Sequence, residues 1–321
     1  MKVCIAGHFQ DDLDEGVRIV GKEMARHLTN QGIEVKKCNL SLPDLWQNLN
    51  YYHPDIVHFV LSPTVPGLVL AKITALRYPN AKYVVSAVHP AVNGKIILRI
   101  LKPDLILAQS EESEEIFSRA GFDTYFLPNG VDTEKFRPLG RREELREKYG
   151  VPKDKFVVLH LASLKKERNL RILCDIQRLD GYHVIVVGRE KENSDQEVIS
   201  ELRKAGCDIR IRHFPLIEEI YNLADCYIFP TEEKRACIET PLSVLEALAC
   251  GLPVISTKFG ALPRLFSNDN GFFFIEDDED IFTALRIVRQ SHKSFKVREM
   301  VLPYSWENVI RKMETFYAEL L

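Results

Sequence analysis

The chain has 321 residues, of which 45% are hydrophobic and 28% charged, and its formal net charge is -3. This balanced composition excludes collagen-like, disordered and disulfide-scaffold proteins, and the charge lacks the basic excess that nucleic-acid binding requires. At about 100–200 residues per domain, the length predicts about two domains.

The sequence also predicts a cellular compartment. It contains no apolar run of the roughly 18–20 residues that a membrane helix needs. The first apolar run, 2–6, is too short for a signal peptide and leads straight into polar residues. The seven cysteines include no C-x-x-C pair, which favours reduced core thiols over disulfides or metal ligands. We therefore expect a cytoplasmic protein.

Strands and helices alternate from the first residues onward. Short apolar runs that end at polar or turn residues predict strands, and apolar residues at helical spacing predict helices. In the first half the predicted strands are 2–7, 33–38, 55–60, 82–88, 104–108 and 124–127. The predicted helices are 17–28, 67–77, 94–101 and 111–120, the last with Ser110 as its cap. This order predicts a parallel sheet covered by helices.

A charged, proline-containing segment, 132–155, follows and is interpreted as a connector with one short helix. A second alternating series then begins. Its predicted strands are 156–162, 182–188, 208–214, 226–229, 253–256 and 271–274. Its predicted helices are 169–177, 195–205, 217–224, 241–250, 278–290 and 306–320. The fold class is therefore α/β, with two doubly wound Rossmann-like domains.

Ligands of doubly wound sheets bind beyond the carboxyl ends of the strands, so the loops there hold the candidate site residues. The loop 8–16 lacks a G-x-G-x-x-G motif, and its four carboxylates would repel a pyrophosphate. It suits a polyhydroxyl ligand better than NAD, unless it only caps a helix. His89 ends an apolar strand, where it could donate a hydrogen bond to a sugar or phosphate or simply terminate the strand before Pro90.

Three cations follow the strand 156–162, namely Lys165, Lys166 and Arg168. Arginine offers a planar fork to phosphate oxygens, so this loop is a candidate diphosphate clamp. A charged surface loop is the alternative.

The segment 237–254 carries the most specific pattern. Thr240 suits a helix cap and Pro241 a first helical position, whereas Ser243 and Glu246 offer an alternative capping box. A carboxylate at Glu246 could accept hydrogen bonds from both ribose hydroxyls, and free amides at the helix start could hold phosphate. The alternative is a solvated glutamate.

These segments together resemble the family 4 retaining glycosyltransferases of GT-B architecture, the glycosyl transferases group 1 type. The resemblance covers nearly the whole chain. The matching segments are 103–110 (PDLILAQS), 127–132 (LPNGVD), 136–138 (FRP), 224–231 (ADCYIFPT), 245–254 (LEALACGLPV) and 304–306 (YSW).

The resemblance implies two Rossmann-like domains that face each other across a cleft. Residues 1–138, with 304–321 crossing back, would bind the acceptor, and 139–303 would bind a nucleotide-diphosphate-sugar donor. It implies transfer with retention, no cofactor and no metal. The acceptor hydroxyl would belong to a glycan, a lipid-linked sugar or a small molecule, and the basic, apolar helix 94–102 could contact a membrane surface.

The resemblance also assigns roles residue by residue. Glu246 is the ribose carboxylate, Arg168 stands in place of a phosphate-binding lysine, and Glu239 and His89 contact the donor sugar. Gly16 lies in the loop near the phosphates and acceptor, and the backbone of 214–216 meets the nucleobase. The expected catalytic residues are His89, Glu239 and Arg168, and the expected donor-binding residues are Ser163, Lys166, Arg168, Phe214, Leu216, Glu239, Thr240, Leu242 and Glu246.

Three departures from the family pattern accompany these assignments. Ala162-Ser163-Leu164 replaces a G-R-L sequence, so one phosphate-binding arginine is absent from its usual place. Glu239 and Glu246 have six residues between them instead of seven, and the first loop has one glycine where many members have two. These departures leave a second hypothesis open, a non-catalytic GT-B protein that binds a nucleotide sugar or a partner.

Overall fold

The computed structural model describes residues 1–9, 16–90, 100–188, 194–291 and 295–321. The chain divides into two units. Unit 1 comprises Met1–Gly130, Cys237–Pro241 and Trp306–Leu321, and unit 2 comprises Val131–Ala236 and Leu242–Ser305.

This division differs from the predicted one at three places. Residues 304–305, predicted to cross back with the last helix, belong to unit 2. Residues 131–138 belong to unit 2, because the Arg298 guanidinium donates hydrogen bonds to the carbonyls of Thr133 and Phe136 at 2.8 Å each. The segment 237–241 belongs to unit 1, although it lies deep within the sequence of the second domain.

Unit 1 is built on a six-stranded parallel sheet in the order β2-β1-β3-β4-β5-β6. Its strands are β1 (Lys2–Gly7), β2 (Glu34–Asn39), β3 (Ile56–Leu61), β4 (Lys82–Ala87), β5 (Leu105–Ala108) and β6 (Thr124–Phe126). Its helices are α1 (Gly16–Asn30), α2 (Leu42–Tyr52), α3 (Val65–Arg77), α4 (Glu111–Arg119) and the C-terminal α13 (Trp306–Leu320). The predicted helix 94–101 lies almost entirely outside the described residues.

Helix α2 was not predicted from the sequence. It begins with Pro43 in its first turn and Asp44 behind it, whose carboxylate accepts a hydrogen bond from the Asn39 amide at 2.7 Å. It buries only Leu45 and Leu49, so the apolar repeat is too short to stand out as a helical period.

Unit 2 is a second six-stranded parallel sheet, in the order β12-β11-β10-β7-β8-β9. Its strands are β7 (Phe156–Leu161), β8 (Tyr182–Gly188), β9 (Asp208–Ile211), β10 (Cys226–Phe229), β11 (Val254–Thr257) and β12 (Phe272–Ile275). Its helices are α5 (Arg142–Tyr149), α6 (Arg171–Arg178), α7 (Gln196–Lys204), α8 (Ile217–Leu223), α9 (Leu242–Ala249), α10 (Leu262–Leu265), α11 (Asp278–Ser291) and α12 (Val297–Val301). Short α10 and α12 were not predicted, and β9 ends three residues earlier than the prediction.

The central strands explain why the sheets are parallel and covered on both faces. Every residue of β3, β5, β7 and β10 is buried. A parallel strand buried on both faces needs a continuous apolar run rather than an alternating one, and the sequence supplies such runs. Within the described ranges, no helix has the length and apolarity that crossing a membrane requires.

A buried ionic network attaches the connector helix α5 to the sheet of unit 2. The Asp225 carboxylate, 6% exposed, accepts hydrogen bonds from Arg142 at 2.7 Å, from Arg146 at 2.6 Å and from the Val157 amide at 2.7 Å. A buried charge is tolerated only when it is paired and hydrogen-bonded, and here both conditions are met. The network fixes α5 against the start of β7.

His58 holds the C-terminal helix in unit 1. Its ring is fully buried in β3, with Nε2 2.8 Å from the Ser86 hydroxyl and Nδ1 hydrogen-bonded to the Tyr317 hydroxyl of α13. Burial lowers the pKa of His58 to about 3, because the charged ring would lose its hydration.

This burial predicts a pH dependence of stability. The unfolded chain takes up a proton at His58 below a pKa of about 6.5, whereas the folded chain does so only near pH 3. Stability is therefore lost as the pH falls below 6.5, by about 2 kcal/mol between pH 7 and pH 5 from this residue alone. In urea unfolding, the free energy of unfolding of His58→Gln should therefore fall by about 2 kcal/mol less than that of the wild type between pH 7 and pH 5.

The matched control is the exposed His53, which ends α2 in a left-handed conformation that asparagine also adopts. His53→Asn should keep the wild-type pH dependence. Equal pH dependence in His58→Gln and the wild type would contradict the prediction.

Candidate functional site

The strand order of unit 2 reverses between β7 and β10. The chain extends the sheet to one side through β8 and β9, and to the other through β11 and β12. Loops that leave the carboxyl ends of two such neighbouring strands diverge, and a crevice forms between them. The segments that follow β7 and β10 carry the candidate residues of this unit.

Arg168 lies in a 3-10 turn, Lys166–Arg168, that follows β7. Its side chain is 8% exposed, and its Nε is buried with no hydrogen-bond partner among the described residues. A buried guanidinium N–H without an acceptor is costly, and an anionic group such as a phosphate would satisfy it. The unpartnered N–H of this predicted phosphate-binding arginine would therefore be stabilised by a bound anion.

The other predicted residues of this loop are placed differently. Lys166 is largely exposed, and its Nζ lies 2.5 Å from the Glu197 carboxylate of α7. Such a surface pair is worth at most about 1 kcal/mol, so it can exchange for another anion. Ser163 is buried, and its carbonyl accepts a hydrogen bond from the Lys165 amide at 3.1 Å.

His160 is a buried polar residue near the candidate site that the sequence analysis did not single out. It is fully buried in β7, and its Nδ1 donates to the Ile228 carbonyl of β10 at 2.9 Å. Its Nε2 has no hydrogen-bond partner in the part of the chain that the structure describes. Burial, with a smaller contribution from the charge of Arg168, lowers the pKa of His160 to about 4 and keeps it neutral. The only sequence signal was a histidine within an apolar strand.

Glu246 lies one turn inside α9 and is half-buried. Its Oε2 accepts a hydrogen bond of 2.7 Å from the Tyr221 hydroxyl of α8. Burial and the neighbouring Glu246 charge raise the pKa of Tyr221 well above its ordinary value, so the phenol stays protonated and acts as the donor. Sequence reasoning found Glu246 and did not find Tyr221.

The start of α9 settles one alternative from the sequence. The helix begins at Leu242, directly after Thr240 and Pro241, and the Leu242 side chain is buried. Ser243 lies inside the helix, 2.8 Å from the Tyr227 hydroxyl, so the capping box starting at Ser243 is wrong.

Phe214 and Leu216 lie just before α8. Phe214 is buried, with the Arg212 guanidinium 4.5 Å above its ring and the Tyr149 ring centroid at 6.2 Å. Leu216 is 47% exposed. The predicted nucleobase segment therefore leads directly into α8, the helix that carries Tyr221.

Unit 1 brings together three other predicted residues, Gly16, His89 and Glu239. The amide of Glu239 donates to the carbonyl of Val88 at 3.0 Å, directly before His89. The His89 Nδ1 lies 2.8 Å from the Ser62 hydroxyl, which follows β3. A Cβ atom on Gly16 would lie 3.0 Å from the Ile238 side chain, which leaves little room for any larger residue.

The carboxylate of Glu239 is hydrogen-bonded within unit 1. It is 4% exposed, and Oε1 accepts from the Ser110 hydroxyl at 2.6 Å and from the Ser113 hydroxyl at 2.9 Å. Ser110 also caps α4, since its hydroxyl oxygen accepts from the Ser113 amide at 3.1 Å. A helix N-terminus stabilises a nearby negative charge, so this position suits an ionised carboxylate.

Thr240 is held in unit 1 as well. Its carbonyl accepts a hydrogen bond from Asn129 at 3.0 Å, and its hydroxyl donates to the Gln109 carbonyl at 3.4 Å. The sequence showed Gln109, Ser110 and Asn129 as polar residues at strand ends but gave no sign that they hold the segment 237–241.

Removal of the Ser110 hydroxyl tests this anchorage. Ser110→Ala should lower the free energy of unfolding by about 2–3 kcal/mol, because it removes a helix cap and one hydrogen bond to a buried carboxylate. Chemical unfolding measures the loss. The exposed Ser118 of the same helix is the control, and Ser118→Ala should stay within about 0.5 kcal/mol of the wild type. Equal effects of the two substitutions would contradict the anchorage.

Residues 141–292 match the family model described as glycosyl transferases group 1. The matched range takes in most of unit 2 and the segment 237–241 of unit 1. The match includes Arg168, Phe214, Glu239 and Glu246, and all nine predicted donor-binding positions lie inside it.

Two curated relatives are similar over most of this chain. The sulfoquinovosyl transferase SQD2 of Arabidopsis thaliana is 24% identical over 275 residues, which are 82% of this chain and 50% of the relative. The UDP-Gal:alpha-D-GlcNAc-diphosphoundecaprenol alpha-1,3-galactosyltransferase of Escherichia coli is 26% identical over 313 residues, 86% of this chain and 76% of the relative. The chain spans about half the length of several curated relatives that it matches.

A solved structure extends the likeness to the whole fold. The sucrose-phosphate synthase of Thermosynechococcus elongatus superposes with a TM-score of 0.84, covering 100% of this chain and 99% of that chain at 13% identity. At such low identity the likeness shows the fold alone. With the two parallel six-stranded sheets, it confirms the predicted α/β class with two Rossmann-like domains, the GT-B fold.

Proposed function

We propose that the chain is a glycosyltransferase that moves a sugar from a nucleotide-diphosphate-sugar to an acceptor hydroxyl. The proposal is carried by two groups on the segments that follow β7 and β10, the strands between which the order of unit 2 reverses. A buried Arg168 N–H has no partner in the described part of the chain, and the Glu246 carboxylate is held at the start of α9. The family match of residues 141–292 supports the same function.

The donor-binding roles follow from charge and position. Glu246 accepts hydrogen bonds from the ribose hydroxyls, as carboxylates do in other Rossmann-like nucleotide sites. Arg168 binds the diphosphate through its planar fork, and Lys166 adds charge once it leaves Glu197. The backbone of 214–216 lies beside the nucleobase, and Ser163, Thr240 and Leu242 complete the donor-binding set.

The chemical step requires stabilisation of a leaving group. The bond between the anomeric carbon and the phosphate oxygen breaks, and its electron pair stays on the diphosphate. Arg168 stabilises this developing charge. The acceptor oxygen forms the new bond to the same carbon, and a phosphate oxygen takes its proton. We propose retention at the anomeric carbon, with His89 and Glu239 on the donor-sugar side and Gly16 beside the phosphates.

We further propose that the acceptor is a carbohydrate or a lipid-linked sugar and that the reaction takes place at the cytoplasmic face of a membrane. The name of the Escherichia coli relative, which specifies a diphosphoundecaprenol-linked acceptor, supports this. The helix 94–102 that the sequence offers for membrane contact lies almost entirely outside the described residues.

Transfer itself is the first test. The protein is incubated with UDP-, ADP- and GDP-sugars and with free or undecaprenyl-diphosphate-linked sugars, before and after dialysis against EDTA. We expect one donor to be consumed, a product whose anomeric configuration by NMR equals that of the donor, and the same rate after dialysis. Nucleotide binding without transfer or hydrolysis of any donor would favour the non-catalytic hypothesis.

Two substitutions test the donor-binding roles separately. Glu246→Ala should weaken nucleoside diphosphate binding about 10- to 100-fold, because ribose hydrogen bonds to a charged group are lost. Arg168→Gln should weaken the binding of the diphosphate about 10-fold or more and leave the binding of the free nucleoside unchanged. Calorimetric titration measures both.

The control for these substitutions is Glu307→Ala, which removes an exposed carboxylate of α13 that pairs with Arg311 and lies outside the donor-binding set. It should leave nucleotide affinity near the wild-type value. Unchanged affinity in Glu246→Ala would overturn the ribose assignment.

A further inference from the structure

We propose that Tyr221 is a positioning residue that orients the Glu246 carboxylate toward the ribose and so takes part in the selection of ribonucleotides. This inference rests on the proposed function. It concerns a residue outside the donor-binding set, since the Tyr221 side chain is fully buried and acts through Glu246.

The position of the Tyr221 hydroxyl is fixed by aromatic packing. The ring of Tyr221 lies edge-on to Phe136, with centroids 5.9 Å apart, and 6.0 Å from the ring of Tyr227. Aromatic pairs at such distances add to burial in holding a ring in one place. The hydroxyl is therefore held at one point, 2.7 Å from the Glu246 Oε2.

Helix α8 itself is anchored two residues before Tyr221. Glu219, which is 3% exposed, accepts hydrogen bonds from Arg141 at 3.0 Å, Lys148 at 2.5 Å and the Tyr149 hydroxyl at 2.7 Å. These donors come from α5 or the residue before it, so α8 cannot shift without breaking charged hydrogen bonds. The phenol donor is thus part of a rigid frame.

A hydrogen-bond donor held in one place can orient the Glu246 carboxylate before a ligand binds. A free glutamate side chain loses rotamer entropy when it binds a ligand. A hydrogen bond from Tyr221 fixes the carboxylate plane before the ligand arrives, and each carboxylate oxygen has capacity for more than one hydrogen bond. The recognition of two vicinal hydroxyls, which needs a defined carboxylate plane, gains most from this arrangement.

The chain provides a matched control in Tyr227. It too is fully buried, and its hydroxyl also contacts α9, at the Ser243 hydroxyl at 2.8 Å, while donating to the Leu161 carbonyl at 3.2 Å. Tyr227→Phe thus removes a comparable buried hydroxyl contact with the same helix and retains the Tyr221 hydroxyl that donates to Glu246.

The experiment compares ribose selection in the intact chain. Calorimetric titration gives the affinities of UDP, ADP and GDP and of their 2′-deoxy forms for the wild type, Glu246→Ala, Tyr221→Phe and Tyr227→Phe. Thermal unfolding of each variant checks that it is folded. We expect the wild type to prefer the ribo form of the nucleotide it binds, Tyr221→Phe to reduce that preference three- to tenfold, and Tyr227→Phe to retain it.

The titrations distinguish a failure of the positioning role from a failure of the proposed function. If Glu246→Ala loses the preference and Tyr221→Phe keeps it, the positioning role is overturned and the donor site stands. If the wild type binds none of the nucleotides, the proposed function fails and the inference fails with it. If Tyr221→Phe does not fold, Tyr221→Met takes its place, because methionine also lacks the hydroxyl and its flexible side chain fills the space. The ratio of ribonucleotide to 2′-deoxynucleotide affinity is then compared with that of the wild type in the same way.

Discussion

The reversal of strand order between β7 and β10 is the constraint on which the candidate site depends. It separates the loops that follow the two strands, so the turn with Arg168 and the start of α9 can both border an open crevice. Two buried polar residues belong to β7 and to the turn after it, His160 and Arg168. The His160 Nε2 and the Arg168 Nε have no hydrogen-bond partner within the described ranges. Such groups lose their hydration on folding, and a bound anion or hydroxyl would restore it.

The carboxylates of unit 2 that lie in its interior differ in how many hydrogen bonds they accept. Asp225 and Glu219 are saturated by arginine, lysine and tyrosine donors, and they fix α5 and α8. Glu246 receives its hydrogen bond from a helix fixed in this way. The ion pairs of Asp225 and Glu219 are therefore connected to the Glu246 carboxylate through α5 and α8. A change in the position of α5 would shift α8 and, with it, the hydrogen-bond donor to Glu246.

The amino-acid sequence predicted the fold better than the site. Continuous apolar runs such as β3 and β7 and the capped helix α4 follow from local pattern, whereas α2 buries too few residues to be recognised. Glu246 and Arg168 could be predicted because each lies within a few residues of a recognisable strand or helix start. The contacts of Tyr221, His160 and Ser110 could not be predicted, because each joins residues that are far apart in the sequence. Tyr221 and its partner are 25 positions apart, His160 and its partner 68, and Ser110 and Glu239 129.

We propose that unit 2 binds a nucleoside diphosphate with its ribose at Glu246 and its phosphates at Arg168. A crystal structure of the protein with UDP, or with whichever of ADP and GDP binds more tightly, is the decisive experiment. We expect both ribose hydroxyls within hydrogen-bond distance of the Glu246 carboxylate and a phosphate oxygen beside the Arg168 guanidinium. A nucleotide bound elsewhere, or with its ribose turned away from Glu246, would contradict it.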